Sequence, residues 1–476
     1  MYLDELTLKN YRCFEQLTID FHPTLTVLIA PNGAGKTTVL DAARVAVWAF
    51  VKGFDLGSQT GKSATIQPSD VRLSQQRDGN MEPQLPSSIA ATGRSHSESA
   101  AQIWMQTRER IKAGTNTLTD KTTKKITAAA TALEQQVRQG QGDVTLPLVS
   151  YLGTSRLWFE GRFTSEAKDT VLDSAQYSRT SGYLNCLSYA SSFKAFTAWY
   201  GWVYRSYLES QIAALQSKND LDATGQRFEH TVQVIQRAVD ALVEDATGWH
   251  SIEYSQRHNQ QLVMHHPEYG VMPVDMLSDG LRNAIAMVAD LAFRAYKLNP
   301  HLGENAALET PGIALIDEVD MFLHPAWQQS ILSSLCKAFP KLQFIVTTHS
   351  PQVLTSVDAS CIRKLVPTKD PESGQRVVVV EHVTTQTRGV ASADVLAAIM
   401  GVNPIPDVPE ARKLSEYHAL ILQNLHDSEA GVELRAELVK HFSQNHPVMH
   451  ECERMIRLQA FKQKLPSMPN PAKEKN

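Results

Sequence analysis

Residues 25–38 read Leu25-Thr26-Val27-Leu28-Ile29-Ala30-Pro31-Asn32-Gly33-Ala34-Gly35-Lys36-Thr37-Thr38. The first five form an apolar run with the length and flanks of a buried strand. A glycine-rich turn follows, and from Lys36 the apolar spacing turns helical through Leu40, Ala43, Val47 and Phe50. Strand, glycine-rich turn and helix with Lys-Thr at the junction make a phosphate-binding loop, in which Ala30 stands where the pattern has its first glycine. Gly33 and Gly35 let backbone N–H groups turn inward around phosphates, with Asn32, Ala34 and Thr38 completing the wrap. Lys36 supplies a cation, the helix N-terminus adds its dipole, and Thr37 offers a hydroxyl to magnesium. An α/β nucleotide-binding core is expected here, with ATP and Mg2+ as its cofactors.

Further along the chain, Ile313-Ala-Leu-Ile316 is an apolar run closed by Asp317-Glu318. Two adjacent carboxylates at a strand's carboxyl end lie where open α/β sheets bind ligands. Asp317 is expected to support the magnesium, and Glu318 to orient or deprotonate an attacking water. About thirty residues later, Phe344-Ile-Val-Thr-Thr348 leads into His349, a third candidate at a strand end.

The chain has 476 residues, with 46 Lys+Arg against 50 Asp+Glu, so whole-molecule charge gives no bulk attraction to nucleic acid. DNA contact would need a local basic patch. The most basic segment is 108–138, with Arg108, Arg110, Lys112, Lys121, Lys124 and Lys125 as phosphate-facing candidates and a helix expected over Thr119 to Gln139. No apolar run approaches the ~18 residues that would cross a bilayer, and the acidic start Met1-Tyr-Leu-Asp-Glu5 lacks the base of an export signal. A cytoplasmic, non-membrane protein is expected. Five scattered cysteines without C-x-x-C spacing fit reduced thiols and argue against a structural zinc cluster.

Strands are expected at Leu3 to Leu8, Leu17 to Phe21, Leu146 to Leu152, Ser251 to Ser255, Leu262 to His265, Gln343 to Thr347 and Val377 to His382. Residues 53–100 read as loops with a short strand near Asp70 to Leu73. Helices are expected over about 189–247, Leu281 to Leu298 and Ala326 to Ala338, and again beyond Ala391, with a disordered tail from Lys464. The aromatic stripe Phe193, Phe196, Tyr200, Tyr204 and Tyr207 reads as core packing rather than a base-stacking platform. The expected domains are an ATPase core in two parts, 1–188 and 249–390, a helical insertion 189–248, and a helical partner-binding region 391–476.

Five landmarks in order resemble the ABC-type ATPases of the SMC, RecF and OLD-like group, over about 360 of the 476 residues. They are Leu8-Lys-Asn-Tyr-Arg-Cys-Phe14, the phosphate loop, the signature-like Leu277-Ser-Asp-Gly280, Asp317-Glu318 with Val319-Asp-Met-Phe-Leu-His-Pro325, and the switch residue His349. The resemblance implies that Arg12 reaches the nucleotide. It implies also that Ser278 and Gly280 of one protomer close on the ATP of a second in a homodimer, and that a Q-loop glutamine meets the metal. Gln67 is nominated for that metal role, with Gln84 as rival. Roughly 240 residues separate Lys36 from Ser278, too few for an SMC arm, and the short region after His382 has no D-x-D pair for an OLD-type nuclease. The chain is most similar to the Septu anti-phage ATPases, PtuA, which implies a separate HNH nuclease docked on the C-terminal helices; related ATPases accompany some retrons. The alternative is a RecF-like DNA repair ATPase without a nuclease.

Overall fold

The computed structural model describes residues 1–58, 64–76, 79–95, 100–112, 117–154, 178–188, 193–369 and 376–464. The start of the expected 189–247 helical region and the expected tail lie partly outside these residues. The chain divides into two compact units, 1–395 and 396–476.

The first unit is built on two sheets around one helix. Strands β1 (Tyr2–Tyr11) and β2 (Phe14–Asp20) form a hairpin. Strand β3 (Leu25–Ile29) leaves it to enter the second sheet, and α1 (Lys36–Val51) follows the glycine turn. Two short strands, β4 (Leu73–Gln75) and β5 (Met81–Pro83), pair with each other. Strands β6 (Ser87–Arg94), β7 (Gln102–Arg108) and β8 (Leu118–Thr119) then complete an antiparallel sheet of order β2-β1-β6-β7-β8. Residues 53–100, expected to be mostly loop, therefore contribute a full sheet strand. β6 alternates buried and half-buried residues but carries Ser, Ala, Thr and Gly, so it has no apolar run to announce it.

The second sheet has six strands, adding β9 (Leu148–Leu152), β13 (Gly312–Ile316), β14 (Leu342–Thr347), β15 (Ile362–Lys369) and β16 (Arg376–His382) to β3, in the order β16-β15-β3-β14-β13-β9. All neighbours are parallel except the β15–β16 pair. Strands β3, β13 and β14 are buried along their whole length, as parallel strands covered on both faces must be. β15 is a strand the sequence pattern does not show, because Arg363, Lys364 and Pro367 interrupt it.

Helix α1 packs against both sheets, which is why it is buried nearly all round. Its interior carbonyls accept hydrogen bonds from the antiparallel side: Trp104 Nε1 donates to Ala46 O at 3.0 Å and Gln106 Nε2 to Val45 O at 2.6 Å. Helix α2 (Lys121–Arg138), capped by Asp120, lies alongside and donates from Thr127 Oγ1 to Ala49 O at 2.7 Å. Helices α3 (Phe193–Ser217) and α4 (Ala223–Thr247) form a hairpin packed on α5 (Asp279–Leu298), beside the meander β10 (His250–Ser255), β11 (Gln261–His266) and β12 (Gly270–Pro273). Within the stripe, Phe196 and Tyr200 are buried, and the Phe193 side chain lies outside the described residues. The helix expected over Ala326 to Ala338 is broken into Pro325–Gln328 and α6 (Ile331–Ala338).

The second unit holds α7 (Pro409–Leu422), α8 (Glu429–Phe442) and α9 (Pro447–Lys464). They close on a small core of Tyr417, Ile421, Leu438, Met449 and Cys452.

Candidate functional site

The carboxyl ends of β3, β14 and β13 lie side by side, so the turn after β3, the residues after β13 and those after β14 converge. Ile316 pairs with Val346, and Thr347 with Leu28. In the turn, Gly33 (φ 74°) and Gly35 (φ 100°) are left-handed. Gly35 is also pressed from above: a Cβ there would lie 2.4 Å from the Phe14 ring and 2.9 Å from Cys13 Sγ, so no other residue fits.

Lys36 Nζ donates to Ala30 O at 3.0 Å, folding the loop around its own cation. Ala30 contributes only backbone here, which is why it can replace glycine. Burial lowers the Lys36 pKa, while Asp317, Glu318 and Asp320 act against that fall. Thr37 Oγ1 donates to Asp317 Oδ2 at 3.1 Å, and Thr347 Oγ1 donates to Asp317 Oδ1 at 2.6 Å. Asp317 is thus buried and oriented by two hydroxyls. The same Thr347 hydroxyl accepts from Glu318 N at 2.8 Å, and Glu318 takes φ 46°, an uncommon conformation that turns the chain at the strand end.

An open cleft of about 370 Å³ gathers Asn32, Gly33, Gly35, Lys36, Thr37 and Thr38 from the loop, with Asp317, Glu318 and His349 opposite and Arg12 at the side. Of the residues expected at the site, these ten meet. Ala34 is buried behind the loop. Ser278 and Gly280 lie outside the cleft: Ser278 is exposed and caps α5, its Oγ accepting from Leu281 N at 3.5 Å. Gly280 sits against the segment after Glu318, where a Cβ would meet Phe322 O at 2.4 Å.

Gln67 is not among the residues that line the cleft: its side chain caps the turn Pro68–Asp70, and Nε2 donates to Thr65 Oγ1 at 2.9 Å. Gln84 is not among them either, and its Nε2 donates to Glu82 O at 3.0 Å on the surface. Arg108 is corrected. It is buried and donates from Nη1 to Ile66 O at 2.9 Å, whereas Arg110, Lys112, Lys121, Lys124 and Lys125 are exposed. Two cleft residues, Cys13 and Thr347, were not foreseen. Cys13 follows Arg12 in the opening turn, and burial raises its pKa. Thr347 had one available signal, a polar residue ending an otherwise apolar strand.

A strand-loop-helix that encloses a cation, an oriented carboxylate and a second carboxylate beside it can bind and cleave a nucleoside triphosphate. Comparisons with known proteins agree with that chemistry. A family model described as an AAA domain matches residues 5–237, and another, described as an AAA domain, putative AbiEii toxin, Type IV TA system, matches 147–355. The fold, the site and these matches support an ATPase, similar to the ABC-type ATPases of the SMC, RecF and OLD-like group.

The chain is 26% identical over 489 residues to the retron Ec83 probable ATPase of Escherichia coli, covering 92% of this chain and 83% of that protein. It is 41% identical over 136 residues to the retron Vc95 probable ATPase of Vibrio cholerae serotype O1 biovar El Tor, covering 26% of each chain. To the Septu protein PtuA of Bacillus mycoides (strain KBAB4) it is 37% identical over 97 residues, covering 20% of this chain and 13% of that protein. Among the described residues, no helix is long and apolar enough to cross a membrane.

Proposed function

We propose that this ATPase is the regulatory subunit of a Septu-like or retron-associated anti-phage defence complex, and that its nucleotide state controls a separate HNH nuclease. The observation that carries this reading is the similarity to a retron ATPase along 92% of the chain, joined to a cleft already formed around Lys36.

In this reading Lys36 neutralises the β- and γ-phosphates and the loop N–H groups wrap them. Glu318 accepts the proton of the attacking water, and His349 meets the γ-phosphate from the end of β14. The hydroxyl and carboxylate of Thr37 and Asp317 are the hard oxygen donors that magnesium prefers, and the two side chains already touch. Bound there, the ion would spread the charge of the phosphates. Ser278 is exposed on its own protomer, and a second copy would bring it and the Gly280 backbone to the ATP, making two composite sites in a homodimer.

The C-terminal unit is proposed to dock the nuclease. Leu422, Val432, Leu458 and Phe461 stand on its helices with about half or more of their surface exposed, an apolar display suited to a partner. Placing charge on that display, with Leu458→Asp and Phe461→Asp together in the full chain, tests the reading. The expected outcome is unchanged ATP binding, loss of nuclease co-purification, and loss of phage protection in a plaque assay. If the purified protein instead loads a recombinase and gives no protection in any form, the RecF-like reading replaces this one.

A further inference from the structure

Two non-glycine residues at the β1–β2 hairpin are in the left-handed region, Asn10 near the end of β1 and Arg12 in the turn, both at φ 49°. Asn adopts this region readily, but an arginine there persists only where the surroundings over-determine it. Here the surroundings come from residues 70–72. Arg12 N donates to Asp70 O at 2.7 Å, Arg72 N donates to Asn10 O at 3.0 Å, and Tyr11 bridges to Val71.

The same contact seizes the arginine side chain. Nε donates to Asp70 Oδ1 at 2.8 Å, and Nη1 donates to Asp41 Oδ2 at 2.6 Å. Asp41 projects from α1, which begins at Lys36, and it also pairs with Arg44, whose Nη1 donates to Leu187 O at 3.1 Å. Both aspartates are buried, whereas the Arg12 side chain keeps 30% of its surface and lines the phosphate cleft. Burial opposes the charge on Arg12, but Tyr11, Asp41 and Asp70 outweigh it and hold its pKa above the ordinary guanidinium value. Two carboxylates and two guanidinium groups make a neutral cluster, so an incoming polyphosphate meets no net repulsion from the clamp.

We propose that Asp41 and Asp70 are positioning residues. They grip the Arg12 guanidinium from two elements, α1 and the 68–70 turn, and hold it in the wall of the cleft. Without the clamp a long side chain in a strained turn would sample solvent, and the nucleotide would have to order it on binding. The inference rests on reading the cleft as the ATP site and adds to it two residues outside the lining.

The test is a double-mutant cycle on ATP affinity, read by calorimetry with Mg-ATP on the full chain and accompanied by thermal melts. Asp70→Asn keeps an oxygen for the Gln67 N–H, which Asp70 Oδ2 accepts at 2.8 Å, and leaves the backbone bond to Arg12 intact, while its NH2 faces Arg12 Nε, so the guanidinium loses both the charge and the acceptor. Arg12→Ala and Asp70→Asn should each weaken binding roughly tenfold, the scale of one charge-assisted hydrogen bond. In the double variant the loss should be no greater than with Arg12→Ala alone. Asp41→Asn should behave in the same way and carries the test if Asp70→Asn does not fold. Wild-type affinity with a lowered melting temperature in both aspartate variants would make the clamp merely structural and overturn the proposal, as would additive losses. Failure of the wild-type protein to bind ATP is a separate result, which removes the reading of the cleft and this inference with it.

Discussion

The two sheets of the first unit carry opposite burdens. The parallel sheet is buried on both faces in β3, β13 and β14, and its charged site residues gather at the carboxyl ends of those strands, where Lys36, Asp317, Glu318 and His349 line one cleft. The antiparallel sheet alternates buried and exposed residues. One face grips α1 through Trp104 and Gln106, while Ile103 and Met105 point outward. The first sheet holds charges in place and the second holds the helix that holds the loop. Chemistry gathers where parallel strands end because three neighbouring ends deliver three loops to one spot. An antiparallel sheet spreads its loops over both edges.

That division can be broken by substitution. Lys36→Ala, at the parallel-sheet end, should abolish measurable ATP binding in calorimetry, and retained affinity would detach the cleft from nucleotide altogether. Glu318→Gln keeps the shape and removes the proton acceptor. Turnover should fall by about a hundredfold or more with binding preserved, as measured by phosphate release under saturating ATP. A normal rate would move the catalytic carboxylate elsewhere. On the antiparallel side, Trp104→Ala removes a buried indole and its bond to Ala46 O, so it should destabilise the unit by about 3–5 kcal/mol in denaturant titration. Affinity for ATP in the molecules that remain folded should not change. A selective loss of affinity without loss of stability would mean that the antiparallel sheet shapes the cleft more directly than its contacts show.

How much was legible follows the same division. Runs such as Leu25–Ile29 and Gly312–Ile316 declare themselves because full burial demands a mostly apolar sequence. Strand β6 stayed hidden because its small residues satisfy a half-buried position without an apolar signature, and β15 because its Arg363 is buried against Asp20, at 2.7 Å, rather than exposed. In the second unit, where helices were expected beyond Ala391, α8 follows a clear Ser428 cap, and only Gly431 and Leu438 along it are fully buried. Gln67 stands outside the cleft lining for a local reason: its backbone N–H is bonded to Asp70 and its amide to Thr65.

The sequence by itself determined the phosphate loop, the adjacent carboxylates and the strand-end histidine, because each depends on residue types at short spacing and on the strand that precedes it. Tertiary structure decided which distant residues share the cleft. Arg12 needs Asp41 and Asp70, 29 and 58 positions away, to hold it at the wall, and Thr347 meets Asp317 across 30 positions. It also decided that Arg108 is a core hydrogen-bond donor while Lys121, Lys124 and Lys125 remain at the surface. Charge is written in the sequence, but whether water or a carbonyl meets that charge depends on how the sheets and helices stack.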